Sequence, residues 1–440
     1  MPPLCLHLLI LALSISLVLC EQHVLTSEEP RSGLLRRFSI PFTVQDVLKV
    51  VQDHDLDVWH STDSEDTPHH THVSIPPPPQ LGSSSVWDLS SLTNTSFHES
   101  YHPLHEVESF LNQLVFANPN TTRLSNIGHS ADGKEMTALT ISSGEYKGGD
   151  KKKKGKEKKG RAPRANEKLG FVIIGAQHAR EWVATSTALY LAHALVADAS
   201  ESYSLSSLLA HFDFHIIPVP NPDGYEYTWR TDRLWYKNRQ SIGPYTNCVG
   251  LDMNRNWGYK WKAVPVERDL NLTNHKDSRP REPVNPCSHW YPGTRPFEAP
   301  EVNNIANWVG IQPNVVAFID LRSYGQMLSS PYSYTCKRLP KDAEDQMEAA
   351  LGASNALKSV HGTQFQTGSL CSLLYSAPGN IVDWMYAREA IKYSYVAHLR
   401  DTGTYGFLLP EKWIRPTGEE TSHLIDYLSR FIAKNDGKSM

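Results

Sequence analysis

Four short apolar runs, at residues 136–141, 171–174, 214–219 and 315–319, recur along the chain with helical segments such as 183–197 and 342–361 between them. Runs of four to six residues rich in Ile, Val and Phe are short enough for strands buried on both faces. Apolar spacing of three and four over a longer stretch reads as helix. Strands interleaved with helices need cover on both faces of their sheet, so the pattern predicts a three-layer α/β/α domain. A further helix is expected at residues 102–117, where Leu104, Val107, Phe110, Leu111 and Leu114 share one side. It marks the start of the main domain, placed at residues 95–440. The chain's 440 residues are about three times the ~150 typical of one domain, which leaves room for a leading segment.

Residues 4–19 form an apolar run without acids, Lys or Arg, followed by Cys20, Glu21 and Gln22. That is the pattern of a secretory signal, so residues 1–20 are expected to be removed. The run is shorter than the ~20 residues of a spanning helix, so no membrane span is expected in the mature chain. Residues 21–94 form the leading segment, with an amphipathic stretch at 44–54 and a linker of prolines at 76–79. Arg36-Arg37 reads either as a dibasic processing site or as exposed charge. The net charge of −4 excludes a protein built around nucleic acid. Residues 150–161 nevertheless carry eight Lys or Arg against Asp150 and Glu157. Residues 146–168 are therefore expected to form an exposed basic loop, with an anionic surface as the partner it would suit.

Secretory transit makes disulfides available to Cys248, Cys287, Cys336 and Cys371. Four cysteines allow three pairings, and neighbourhood in sequence favours Cys248 with Cys287 and Cys336 with Cys371. It also makes Asn94, Asn120 and Asn271 acceptors for N-glycosylation. The expected location is outside the cell, with the vacuole as the alternative, and the expected state is a monomer.

The run at 171–174 leads into His178-Ala179-Arg180-Glu181-Trp182. An H-x-x-E pair after a buried strand offers an imidazole and a carboxylate to one divalent cation, a pairing zinc accepts. Arg233 in DRLWYKNR, and Asn254 with Arg255 in LDMNRNW, add planar guanidiniums and an amide suited to a carboxylate. Taken singly, either arginine reads more readily as a surface ion pair. Together they describe a carboxylate-reading site beside a metal.

From about Tyr101 onward the chain resembles the zinc metallocarboxypeptidases of the pancreatic A/B type. The similarity is carried, in order, by HAREW, NPDGYEYTW, DRLWYKNR, CVGLDMNRNW, NPCSHWYPG, SYGQ with SPYSY, LYSAPGNIVDW and LRDTGTYGFLLP. The resemblance implies a central sheet of eight mixed, mainly parallel strands, and a leading segment, with its LDVWH, similar to a shortened propeptide. It implies His178 and Glu181 as zinc ligands, and Arg180 and Arg233 facing substrate. Asn254, Arg255 and Tyr375 would hold the terminal carboxylate, with Ser323 and Tyr324 beside them. Val382 would sit at the base of a side-chain pocket suited to apolar residues.

Two positions depart from the pattern. The family's third zinc ligand is a His directly before Ser-Tyr, and here Arg322 precedes Ser323-Tyr324. Its general base is a Glu directly before Leu-Arg-Asp-Thr-Gly, and here that residue is His398. A guanidinium about 4 Å from a dication costs roughly 8 kcal/mol at an effective dielectric near 20. Either Arg322 pairs with Glu181 in place of zinc, or zinc binds with His398 as substitute third ligand. The resemblance is greatest to the fungal inactive metallocarboxypeptidase-like proteins implicated in cell-wall organisation. The expectation is a pseudoenzyme, with no catalytic residue, that binds the C-terminus of a peptide or protein. The alternatives are an active zinc carboxypeptidase using His398 as base, and a structural secreted protein with a vestigial groove.

Overall fold

The computed structural model describes residues 87–144, 167–244, 246–263 and 284–436. The signal, most of the leading segment with its proline linker, nearly all of the basic run and Asn271 lie outside the described residues. Among the described residues eight strands are formed: β1 (Thr122–His129), β2 (Glu135–Ile141), β3 (Leu169–Ile174), β4 (Phe212–Ile217), β5 (Val315–Arg322), β6 (Met327–Ser330), β7 (Gln366–Ser369) and β8 (Tyr393–His398). They make one mixed sheet in the order β1-β2-β4-β3-β5-β8-β6-β7. The β4-β3-β5-β8 centre is parallel throughout, and β6 pairs parallel with β7. The contacts of β1 with β2, β2 with β4 and β6 with β8 are antiparallel.

The helices are α1 (Leu104–Ala117), α2 (Trp182–Ala194), α3 (Pro222–Arg230), α4 (Pro300–Val309), α5 (Ala343–His361), α6 (Leu370–Leu373), α7 (Ile381–Ala387) and α8 (Ile414–Asn435). Side chains of a strand alternate between faces, and the core divides accordingly. Phe171, Ile173, Ala317, Ile319 and Leu321 join α2 and α8 in one cluster, whereas Val172, Ile174 and Phe318 join α4 and α7 in the other. Every residue of α2 is buried, which is why its sequence shows no polar stripe. Trp87, Leu89 and Leu92 pack on the same core as α1.

Among the described residues the disulfides are Cys248–Cys287 and Cys336–Cys371, with Cα separations of 4.8 and 5.1 Å. Asn94 and Asn120 are exposed.

Parallel strands side by side place their carboxyl ends along one edge, the usual crevice of an α/β sheet. Here β3 leads to the 175–181 turn, β5 ends at Arg322 and β8 ends at His398. Arg322 and His398 are register partners. The turn after β3 needs its glycine, because a Cβ on Gly175 would stand 2.1 Å from the Pro218 carbonyl oxygen.

Candidate functional site: a guanidinium between His178 and Glu181

His178 and Glu181 lie at the start of α2 and are almost fully buried. His178 Nε2 is 2.8 Å from Asp252 Oδ1. Nδ1 lies 3.0 Å from Glu181 Oε1 and also faces Arg322. Nη2 of Arg322 donates to His178 Nδ1 and, at 3.1 Å, to Glu181 Oε1. Nε donates to Glu181 Oε2 at 2.8 Å, and Nη1 lies 3.4 Å from Asp320 Oδ2. One planar cation thus satisfies both atoms that a metal would take from this pair.

The electrostatics follow from burial and these contacts. Burial alone would raise the Glu181 pKa, yet Arg322 and His178 hold the carboxylate well below its usual range. Burial works against the Arg322 charge, and Glu181 with Asp320 more than restores it. Asp320, whose Oδ2 also accepts from Gln177 at 2.9 Å, is pushed up by burial to about 7. Burial, with Arg322 and His178, pushes His398 down to about 3, so its ring is neutral.

The residues expected to face a carboxylate form the adjoining wall. Asp252 accepts from the Asn254 backbone N–H at 2.9 Å, tying the 253–255 turn to His178. Asn254 Oδ1 accepts from the Ile381 N–H at 3.0 Å. Arg255 donates to the Tyr375 hydroxyl at 3.1 Å. Gly379, at φ +76°, lets its loop approach closely, because a Cβ there would meet the Arg255 carbonyl oxygen at 2.2 Å. Val382 is fully buried in a cluster with Leu370 and Val396. Ser323 donates its N–H to Glu181 Oε2 at 3.3 Å, and Tyr324 packs edge-on against Phe407 at 5.0 Å.

Two expectations are corrected by this geometry. Arg233 is turned into the wall: its Nη groups donate to the Arg180 and Phe407 carbonyl oxygens at 2.8 and 2.7 Å, and its guanidinium stacks 3.6 Å over Trp182. Burial pushes its pKa down to about 9. The DRLWYKNR segment instead brings Tyr236 to the site, its ring 3.6 Å from that of His178. His398 is likewise not assembled with His178 and Glu181 as a substitute third ligand, because Arg322 bonds to both. Among the described residues no group of three His, Cys, Asp or Glu could hold a metal ion. The donor set therefore does not fit zinc. Arg180 stays beside the pair, its guanidinium 3.9 Å from the Phe407 ring and 4.8 Å from Tyr236.

Tyr236, Asp252, Gln177 and Asp320 were missed in the sequence. Asp252 stands two residues before Asn254 inside a quoted motif, and Gln177 directly before His178. Gln177 accepts from the Trp257 indole at 3.1 Å while donating to Asp320. No spacing rule marks that bridge.

A mixed α/β sheet with an H-x-x-E pair at its carboxyl edge, beside an Asn-Arg pair and a tyrosine, defines a metallocarboxypeptidase scaffold. The profile described as zinc carboxypeptidase, Peptidase_M14, matches residues 107–423, and the chain belongs to that family. It is 34% identical over 400 residues to the inactive metallocarboxypeptidase ECM14 of Paracoccidioides brasiliensis, covering 84% of this chain and 62% of that protein. The protein of the same name from Blastomyces gilchristii is 36% identical over 369 residues, covering 79% and 56%. The chain thus spans about three fifths of the length of these relatives. Bovine thrombin-activatable fibrinolysis inhibitor, solved in complex with tick carboxypeptidase inhibitor, superposes with a TM-score of 0.63 at 32% identity, covering 77% of this chain and 100% of that one. Carboxypeptidase A from Helicoverpa armigera gives 0.63 at 27% identity, covering 78% and 76%.

Proposed function

We propose that this chain is a pseudoenzyme that binds peptide or protein C-termini ending in an apolar residue and does not cleave them. The observation that carries the reading is Arg322, bonded to both His178 and Glu181. Zinc activation of water and a positioned carboxylate base are separate contributions to hydrolysis, and the sequence departs from the family at both positions. The wall that would hold a carboxylate keeps Asn254, Arg255 and Tyr375, and Val382 supplies an apolar floor. Arg180, Ser323 and Tyr324 frame the cleft, with Arg233 supporting Arg180 from behind. The name inactive metallocarboxypeptidase borne by the relatives supports the same reading. We further propose a secreted monomer acting in cell-wall organisation, with N-glycans on Asn94, Asn120 and Asn271 and the basic run meeting an anionic surface. No helix among the described residues is long and apolar enough to cross a membrane.

Calorimetry of the purified protein with peptides ending in Phe or Leu tests the reading. Binding is expected, with no free amino acid released. Amidating the peptide carboxylate, or Arg255→Ala, should weaken binding at least tenfold, since a charge-assisted bond is worth about 1.5–3 kcal/mol. Equal affinity for the amidated peptide would remove C-terminal recognition. Release of the terminal residue would restore the hydrolase.

A further inference from the structure

We infer that His398 is a fixed hydrogen-bond donor facing the cleft through Nε2, where it reads the carbonyl oxygen of the ligand's last peptide bond. The inference rests on the C-terminus reading above and specifies how the residue at the family's base position serves it.

The ring sits at the end of β8, paired in register with Arg322 on one side and Met327 on the other. Nδ1 is sealed from solvent and has no hydrogen-bond partner, while the residue as a whole keeps some exposure. A buried N–H without an acceptor is far rarer than an under-used acceptor, because the bare donor forfeits its bond to water. Nδ1 therefore keeps the lone pair and the proton resides on Nε2. A second proton would place an orphan N–H beside the Arg322 guanidinium.

This arrangement removes base chemistry at both nitrogens. Nε2 already holds its proton, and the lone pair able to take one is enclosed. A carboxylate at this position offers only acceptors, while His398 offers the cleft only a donor. The groups around it point the same way. Asn254 spends Oδ1 on the Ile381 N–H, which leaves its amide hydrogens to donate. The Tyr375 oxygen accepts from Arg255, which leaves its hydroxyl hydrogen to donate. The His178–Asp252 bond links this wall to Arg322 and so to His398. A cleft lined with donors suits a ligand whose end carries acceptors in sequence: a carboxylate, then a carbonyl one residue back. An intact peptide C-terminus has this chemistry, and a free amino acid, with an ammonium in place of the acyl amide, lacks the second acceptor.

Long-range ¹H–¹⁵N correlation spectra of the ¹⁵N-labelled protein, with His398 assigned by its loss in His398→Ala, read the tautomer without any ligand. The Nε2–H form is expected, and an Nδ1–H form or a cationic ring at pH 6 overturns the inference. The probe for binding is N-acetyl-glycyl-phenylalanine. His398→Ala should weaken it about three- to tenfold, the range of one neutral hydrogen bond. His398→Gln, which can offer a side-chain N–H, should recover most of that loss, while His398→Glu should not. Equal affinity of the Ala, Gln and Glu variants refutes the inference while the C-terminus reading survives on Arg255→Ala. If the probe binds neither wild type nor any variant, that reading fails instead, and the spectra still decide the tautomer.

Discussion

Replacing Arg322 is the most direct trial of the site. Its side chain and that of Glu181 are 5% and 3% exposed, so Arg322→Leu leaves a buried carboxylate facing an apolar group. Three of the guanidinium nitrogens bond to Glu181, His178 or Asp320. Removing one partner of such a pair costs about 3–5 kcal/mol. At roughly 2–4 °C per kcal/mol, the melting temperature should fall by on the order of 10 °C. Arg322→His should lose a similar amount in chelator, because a neutral imidazole also leaves Glu181 unpaired. Zinc should then return it: a metal at 1,000 times its Kd contributes about 4 kcal/mol. Scanning calorimetry of wild type, Arg322→Leu and Arg322→His, each with chelator and with zinc, gives the six measurements. Wild type should be indifferent to both additions and Arg322→Leu uniformly low, while Arg322→His should be low in chelator and restored by zinc. Stoichiometric zinc in the purified wild type, or a wild-type melting temperature that falls with chelator, would refute the argument that the guanidinium stands in for the ion.

The remaining predictions use the same physics. Combining Arg322→His with His398→Glu supplies a third metal ligand and a carboxylate base, so with zinc it should release Phe from a peptide at least ~100-fold faster than either single variant, the lower bound for a positioned base; parity with the single variants counts against the assignment of the two positions. Arg233→Ala should lower stability by about 2–4 kcal/mol in urea unfolding, since it strips two carbonyl bonds and the Trp182 stack; an unchanged midpoint would mean that the packing around it is dispensable. Burial raises Asp383 from 3.8 to about 6. The native state then holds that proton longer than the unfolded chain, so this group's contribution is most favourable below pH 3.8 and declines as pH rises through 6, by at most about 3 kcal/mol. Unfolding free energies at pH 4, 5, 6 and 7 should show Asp383→Asn gaining on wild type across that window, and a constant difference would contradict the burial argument.

The four apolar runs marked four of the six interior strands, β2 to β5. Residues 171–174 and 315–319 fall inside β3 and β5, because a strand buried on both faces must be apolar at consecutive positions. Four strands were missed: β6 and β8 lie inside the sheet, but their sequences MLSS and YSYVAH are not continuous apolar runs, and at the two edges the constraint relaxes. β1 and β7 are the sheet edges, with sequences TRLSNIGH and QTGS, and an edge strand solvated on one side carries polar residues. Both disulfides were legible because each pair is adjacent in sequence.

At the site, motifs pointed to His178, Glu181, Asn254, Arg255, Tyr375 and Val382 as candidates, and marked Arg322 and His398 as departures from the family's pattern. The sequence also fixed the sign of the charge at position 322. Only the tertiary structure decided where that charge goes, because register pairing of β5 and β8 sets Arg322 beside His398 while the turn after β3 brings His178 and Glu181 to meet it. It alone separated Arg233, spent on backbone carbonyls, from Tyr236 three residues later, since residues in an irregular segment share no periodicity that assigns them a face.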